Sequence, residues 1–257
     1  ENLKVGIIGN GAVGSLLAKK AESCNWEVLI NDPPQSERNK GLPQNIAEKR
    51  LEQLSDCDVI TVHVPLTTSG THKTKHLIDK KFLLSLPKNS ALINTSRGGV
   101  VDEEFLLKFL DENQKFVSVL DVWADEPNCS RELVDKSYIA TPHIAGYSAK
   151  AKKNASLKIY SEFCKWFSLD CEELEDRDIE LKCLTIEEGS SNILGAMSHV
   201  LPLMRISSQF KKLTRTRIDR ENAVIFDRLR ADLKGRPEFC EYAIPKYFSD
   251  EDAYFLK

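Results

Sequence analysis

Lys4-Val5-Gly6-Ile7-Ile8-Gly9-Asn10-Gly11-Ala12-Val13-Gly14 is the stretch on which the fold turns. Its first half is a short apolar run, the pattern of a strand buried on both faces. Its second half is a G-x-G-x-x-G turn opening a helical pattern over Ala12–Ser23, with Val13, Leu16, Leu17 and Ala21 on one side. Each glycine has a distinct use. Gly9 permits a tight turn, Gly11 lets the backbone approach a pyrophosphate at the positive helix end, and Gly14 lets helix and strand pack closely. A second strand ends in Asp32, 18 residues after Gly14. A carboxylate there accepts hydrogen bonds from the adenosine ribose hydroxyls and repels a 2′-phosphate, so the pattern favours NAD over NADP. Arg38 is a counter-signal, but it lies beyond Pro33 and Pro34 and leaves Asp32 in place.

Working outward, short apolar runs alternate with helical patterns through residue 147. The strand candidates are Val5–Gly9, Glu27–Asn31, Val59–Val64, Ala91–Thr95, Val117–Val122 and Tyr138–Ala140. Asp102–Asn113 reads as a helix with Asp102 as N-cap, Glu103 and Glu104 suiting the positive helix end, and Phe105, Leu106, Phe109 and Leu110 as its apolar face. This alternation predicts an α/β fold, a Rossmann-type doubly wound parallel sheet with right-handed crossovers. Ala149–Phe167 follows as one long helix, with Ala155, Ile159, Phe163 and Trp166 or Phe167 along one face. Glu172–Glu180 reads as an acidic linker, Ile193–Lys212 and Asn222–Leu233 as helices, and Cys240–Ile244 and Tyr247–Phe248 as extended pieces. The expected division is a dinucleotide domain over 1–148, a connecting helix over 149–171, and a smaller C-terminal α+β domain over 172–257.

The whole-chain balance narrows the function classes. Of 257 residues, 41% are hydrophobic and 29% charged, an ordinary globular composition. A net charge of -3 gives no general reason to expect nucleic acid or an acidic membrane as partner. No run approaches a membrane span, and the first strand begins almost at residue 1, so a cytoplasmic protein is expected. Seven scattered cysteines without a Cys-x-x-Cys spacing read as free thiols. His72 and His76 are four apart and would share a helix face, but no third ligand is evident and no metal is expected. The basic stretch Lys211–Arg220 is interrupted by Asp219 and reads as a solvated or dimer-contact surface.

Three further residues carry the chemistry. Arg97, in Ser96-Arg97-Gly98-Gly99, offers a planar fork that grips a carboxylate. His143, in Pro142-His143-Ile144, exchanges a proton near neutral pH. Glu126, in Asp125-Glu126-Pro127, would fix the tautomer of that histidine from its far nitrogen. Together they suit a 2-hydroxy acid whose hydroxyl proton must be moved.

These segments, with His63-Val64-Pro65-Leu66, Asn94-Thr95-Ser96-Arg97-Gly98 and Asp121-Val122-Trp123, resemble the D-2-hydroxyacid dehydrogenases in order and spacing. The resemblance covers residues 3 to about 168. A narrower likeness, carried by Asp32-Pro33-Pro34, Gly146-Tyr147, Phe226–Arg230 and Arg236–Phe239, points to a branch with an added C-terminal dimerisation domain. That branch acts on a small phosphorylated 2-hydroxy acid. The resemblance implies that Arg97, Glu126 and His143 are active-site residues, and that Tyr147 and Arg97 meet the substrate. It further implies that NAD is held by Gly9, Gly11, Gly14, Asp32, Val64, Asp121 and Gly146, with a homodimer formed through the tail. Val64 departs from the pattern, since this branch tends to place threonine there; a contact made through the backbone would survive. The family's substrate domain precedes the first nucleotide strand, so this chain alone is expected to bind NAD with weak or no turnover. Other readings on the same fold are a dehydrogenase for glycerate or lactate, an NAD-binding co-repressor-like protein, and an inactive fragment.

Overall fold

Six parallel strands, in the order β2-β1-β3-β4-β5-β6, form the sheet of this computed structural model. Residues 3–38, 49–170, 182–183, 193–216, 219–243 and 248–249 are described. The strands are β1 (Lys4–Ile8), β2 (Glu27–Asn31), β3 (Val59–Val62), β4 (Ala91–Asn94), β5 (Val117–Leu120) and β6 (Ile139–Ala140). Between them run α1 (Ala12–Ser23), α2 (Pro33–Arg38), α3 (Lys80–Ser85), α4 (Glu103–Glu112) and α5 (Arg131–Lys136). The strand order reverses between β1 and β3, the switch point at which such sheets bind ligands.

The apolar runs are central because their side chains are buried: Ile7, Ile8, Ile60, Val62 and Leu92 are fully enclosed. Helix α1 meets the sheet through small residues. Gly14, Ala18 and Ala21 are buried, and Ala18 packs with Val5, Ile7 and Ile30. Val13 and Leu16, expected on the buried side, are 62% and 52% exposed. The close approach that Gly14 permits turns the helix so that its small face, not its largest side chains, lies on the sheet. Helix α4 follows its pattern: Asp102 Oδ1 accepts the Phe105 N–H at 3.0 Å, and Leu106, Phe109 and Leu110 are buried. His72 and His76 lie in turns, not on a shared helix face.

The packing divides the chain differently from the boundaries at 148 and 172. One unit comprises 1–143 with 206–227, the other 144–205 with 228–257. In the first unit the sheet is joined by α8 (Leu203–Thr216) and the start of α9 (Asp219–Asp232), which follow α6 (Ala149–Trp166) and α7 (Ile193–Val200) in the chain. Phe210 and Phe226 are buried, and Phe210 packs edge-on against Trp123. Ser207 Oγ accepts the Ala140 N–H at 3.0 Å. Arg131 donates from Nε to the Thr214 carbonyl at 2.7 Å, covering the end of α8. Lys211 bonds the Ser137 carbonyl and Arg215 pairs with Asp135, so this part of the basic stretch anchors a helix.

In the second unit, Ser148 caps α6 by accepting the Ala151 N–H at 3.0 Å. Ile159, Phe163, Trp166 and Phe167 line α6 as expected but are exposed, Trp166 by 83%. The single expected helix over Ile193–Lys212 is two, α7 and α8, because Pro202 removes an N–H donor and clashes with the preceding turn. Ala196 and Val200 pack with Phe239, Tyr242 and Phe248. A two-residue parallel ladder pairs β7 (Lys182–Cys183) with β8 (Tyr242–Ala243), where residues 239–241 form a 3₁₀ turn in place of strand. The acidic segment 172–180 lies outside the described residues.

Candidate active site

Parallel pairing brings the chemistry to one edge of the sheet. The register aligns Asn94 with Leu120 and Leu120 with Ala140. The turns leaving β4, β5 and β6 therefore emerge side by side at their carboxyl ends. They carry Arg97, Glu126 and His143 respectively.

His143 and Glu126 are in direct contact, with Nδ1 2.7 Å from Oε2. Their side chains are 32% and 24% exposed, sheltered but open to a ligand. The other Glu126 oxygen, Oε1, accepts the Trp123 N–H at 2.8 Å, which fixes the carboxylate plane. The His143 N–H donates to the Asp121 carbonyl at 2.7 Å, and the backbone there is left-handed, with φ of 54°. This backbone conformation is sparsely populated for a non-glycine residue and recurs at functional positions. His143 Nε2 has no protein partner among the described residues. One ring nitrogen is thus fixed by a carboxylate while the other is left to exchange a proton.

Arg97 is exposed, and its Nη1 donates to the Ser96 carbonyl at 2.6 Å. No carboxylate holds it among the described residues, so the fork remains available to an anionic ligand. Its turn is pressed against the next one. A Cβ added to Gly98 would lie 1.7 Å from the Trp123 carbonyl oxygen and 2.7 Å from the Ala124 nitrogen. Only glycine allows these two backbones to touch. Asn94 tightens the same turn: its Oδ1 accepts the Ser96 N–H at 3.1 Å, and its Nδ2 donates to the Arg97 carbonyl at 3.1 Å.

The glycine turn sits at the same edge, after β1. Gly9 has φ of 95°, and a Cβ there would meet the His63 carbonyl oxygen at 2.5 Å and Val64 Cγ1 at 2.9 Å. A Cβ on Gly14 would be 1.9 Å from the Gly9 carbonyl oxygen. Gly11 faces open space, with nothing within 4 Å of an added Cβ. It stands at the N-cap of α1 without a side-chain cap, and the first turn holds no acidic residue. Uncapped amides at a positive helix end fit a pyrophosphate. Asp32 Oδ2 accepts the Asn10 N–H at 2.7 Å and Oδ1 accepts the Gln35 N–H at 2.9 Å. The Asp32 carboxylate is therefore locked to the glycine turn. Asn10 and Gln35 complete that lock, with Asn10 Nδ2 2.7 Å from Gln35 Oε1, and Asn10 Oδ1 is buried without a partner among the described residues. The residues present fit a dinucleotide. Sequence reasoning passed over Asn10 and Gln35, which carry no signal beyond their position in and after the glycine turn.

Asp121 is buried at the end of β5, its Oδ1 2.6 Å from Thr141 Oγ1. Gly146 and Tyr147 belong to the second unit. Near Tyr147, the Lys152 ammonium lies 3.5 Å from the ring centroid and the Arg230 guanidinium 4.8 Å. The hydrogen-bonding Lys152 ammonium pulls the Tyr147 phenol below its ordinary value, with Arg230 and Lys234 adding to it.

This edge brings together a glycine cradle, an acid locked to it and a carboxylate-held histidine. The chain belongs to the D-isomer specific 2-hydroxyacid dehydrogenase family, whose NAD binding domain matches residues 1–145. It is 36% identical over 244 residues to an erythronate-4-phosphate dehydrogenase of Bacteroides thetaiotaomicron, covering 95% of this chain and 66% of that protein. A protein of the same name in Bacteroides fragilis is 41% identical over 198 residues, covering 74% of this chain and 55% of that one. The chain thus spans roughly half to two thirds of the length of these curated relatives. Among solved structures, D-lactate dehydrogenase of Aquifex aeolicus, complexed with NAD and lactic acid, is 26% identical with a TM-score of 0.52. That match covers 64% of this chain and 54% of the other.

Proposed function

We propose that this chain supplies the cofactor-binding and acid–base part of an NAD-dependent dehydrogenase that oxidises 4-phospho-D-erythronate at C2. The product is 3-hydroxy-2-oxo-4-phosphooxybutanoate, on a route to pyridoxal 5'-phosphate. The carrying observation is the 2.7 Å contact of His143 with Glu126 at the sheet edge that also bears Arg97. Arg97 pairs with the substrate carboxylate and C2 oxygen through its open fork. His143 accepts the C2 hydroxyl proton at Nε2, and Glu126 balances the resulting charge across Nδ1. NAD, when bound, supplies the hydride acceptor. Gly9, Gly11, Gly14, Asp32, Val64, Asp121 and Gly146 would hold it. Val64 acts there through its backbone.

The choice of substrate rests on the two named relatives and on Tyr147. The cations beside Tyr147 suit a phosphorylated acid better than lactate or glycerate. Residues 172–257 would make a homodimer in a cytoplasmic enzyme; among the described residues no helix is long and apolar enough to cross a membrane.

A substrate panel tests the reading. The protein carrying this chain is given NAD with 4-phospho-D-erythronate, D-lactate or D-glycerate. The first should exceed the others in kcat/KM by at least tenfold. Preference for an unphosphorylated acid would overturn the substrate assignment, and sedimentation as a monomer would overturn the dimer.

A further inference from the structure

Strand β3 pairs with β1 on one side and β4 on the other, with Val62 level with Ile8 and with Asn94. The loop leaving β3, from His63 to Leu77, therefore starts out between the glycine turn and the Arg97 turn. At its beginning the His63 N–H donates to the Ile8 carbonyl at 2.7 Å, and the His63 carbonyl is pressed on Gly9. Near its end the His76 N–H donates to the Gly99 carbonyl at 2.8 Å, two residues from Arg97. Between these points the loop runs as turns and coil, and two threonines fasten it. Thr74 is buried although Lys73 and Lys75 beside it are exposed. Its hydroxyl donates to the Pro65 carbonyl at 2.5 Å and accepts the Thr67 N–H at 2.7 Å. The Thr67 hydroxyl answers it, donating to the His72 carbonyl at 3.1 Å and accepting the Thr74 N–H at 3.0 Å. Each hydroxyl thus gives its one proton to a carbonyl and takes an amide.

We propose that Thr74 is a positioning residue for the nucleotide: through the Pro65 carbonyl it holds the Val64–Pro65 backbone against the glycine turn at the spacing that bound NAD requires. Val64 has no side-chain donor or acceptor, so any polar contact it offers is made by its backbone. The strand has ended at Val62, and the Thr74 hydroxyl grips the carbonyl that follows Val64. On the other side there is no slack, since Val64 Cγ1 would lie 2.9 Å from a Cβ on Gly9. A binding surface fixed before its ligand arrives avoids the cost of ordering it on binding. The effect is mutual by linkage: if the fastened loop binds NAD more tightly than the open one, NAD favours the fastened loop by the same factor. The inference rests on the glycine turn being the seat of the cofactor.

Thr74→Val matches the shape and removes both hydroxyl bonds, whereas Thr74→Ser keeps them. Isothermal titration with NAD is made on the protein carrying this chain, well below its melting temperature. Thr74→Val should lose about tenfold or more in affinity. Thr74→Ser should lose less than about threefold, the cost of a freer side chain. A hydroxyl that served stability alone would lower the Tm of Thr74→Val and leave the NAD affinity of the folded protein at the wild-type value, and that result would overturn the proposal. So would an equal loss in both variants. Gly11→Ala, titrated alongside, tests the seat itself. Wild-type affinity there removes the seat and the proposal with it, while a weakened Gly11→Ala beside an unaltered Thr74→Val removes the proposal alone. Amide exchange in the wild type serves if Thr74→Val does not fold. Saturating NAD should slow exchange of residues 66–76, read by mass spectrometry, by the same factor of about ten or more. Exchange that NAD leaves unchanged would count against the proposal.

Discussion

Glu126 Oε2 lies 2.7 Å from His143 Nδ1, while Glu126 Oε1 accepts the Trp123 N–H at 2.8 Å. The carboxylate is thus held at both ends, by the backbone that precedes it and by the ring that it orients. Such a carboxylate contributes by fixing geometry and balancing charge, not by taking a proton itself. Glu126→Gln keeps the Trp123 bond and removes the charge. In the protein carrying this chain it should lower kcat about tenfold to a hundredfold with little change in KM, as read from steady-state kinetics. A KM effect without a kcat effect would place Glu126 in ground-state binding instead.

Two of the fingerprint glycines, Gly14 and Gly11, should respond differently to alanine. Gly14→Ala forces a Cβ to 1.9 Å from the Gly9 carbonyl oxygen, so the helix must move off the strand. Overpacking of this kind costs about 1–3 kcal/mol, a fall in Tm of roughly 3–10 °C for a chain of this size. Gly11→Ala meets no protein atom and should leave Tm unchanged. It should still lower NAD affinity tenfold or more if, as proposed, Gly11 faces the pyrophosphate. Calorimetric melting and titration with NAD separate the two effects.

Asp32 accepts the Asn10 and Gln35 amides, and in the proposed reading its remaining lone pairs take the ribose hydroxyls. Asp32→Ala should weaken NAD by about 10–100-fold, the worth of hydrogen bonds to a charged acceptor. NADP binding should fall less, because a repelling charge is also lost. Isothermal titration with both nucleotides checks the ratio, and an unaltered preference would move recognition elsewhere.

Burial raises the Glu103 carboxyl from an ordinary value near 4.5 to about 7. A raised acid contributes stability that is fully present below the unfolded value and is lost as pH climbs through the folded one. Wild-type stability should therefore decline between about pH 5 and pH 8, by no more than about 3 kcal/mol from this group. Glu103→Gln should flatten that decline. Denaturant midpoints across this range give the answer, and parallel slopes for both proteins would contradict it.

Much of the fold was legible because its signals are local. The run before Gly9, the G-x-G-x-x-G turn, Asp102 as N-cap and the apolar face of α4 each depend on neighbours a few residues apart. The candidate triad was legible as types in order, but not its geometry: nothing local says that Glu126 Oε1 binds the Trp123 N–H. The misses have long-range causes. Val13 and Leu16 are exposed because the close approach at Gly14 decides which face of α1 meets the sheet. Residues 206–227 pack with the sheet through Phe210 against Trp123 and Ser207 against Ala140, pairs far apart in sequence. The expected helix over Ile193–Lys212 took no account of Pro202, which separates α7 from α8.

The central claim is that His143 moves the substrate proton beside bound NAD. The most direct measurement is formation of reduced nicotinamide from 4-phospho-D-erythronate by the protein carrying this chain, wild type against His143→Ala, with NAD affinity measured in parallel. The account predicts that the wild type reduces NAD and that the variant is slower by about 10²–10⁴-fold with its NAD affinity unchanged. A variant that turns over at the wild-type rate would contradict it.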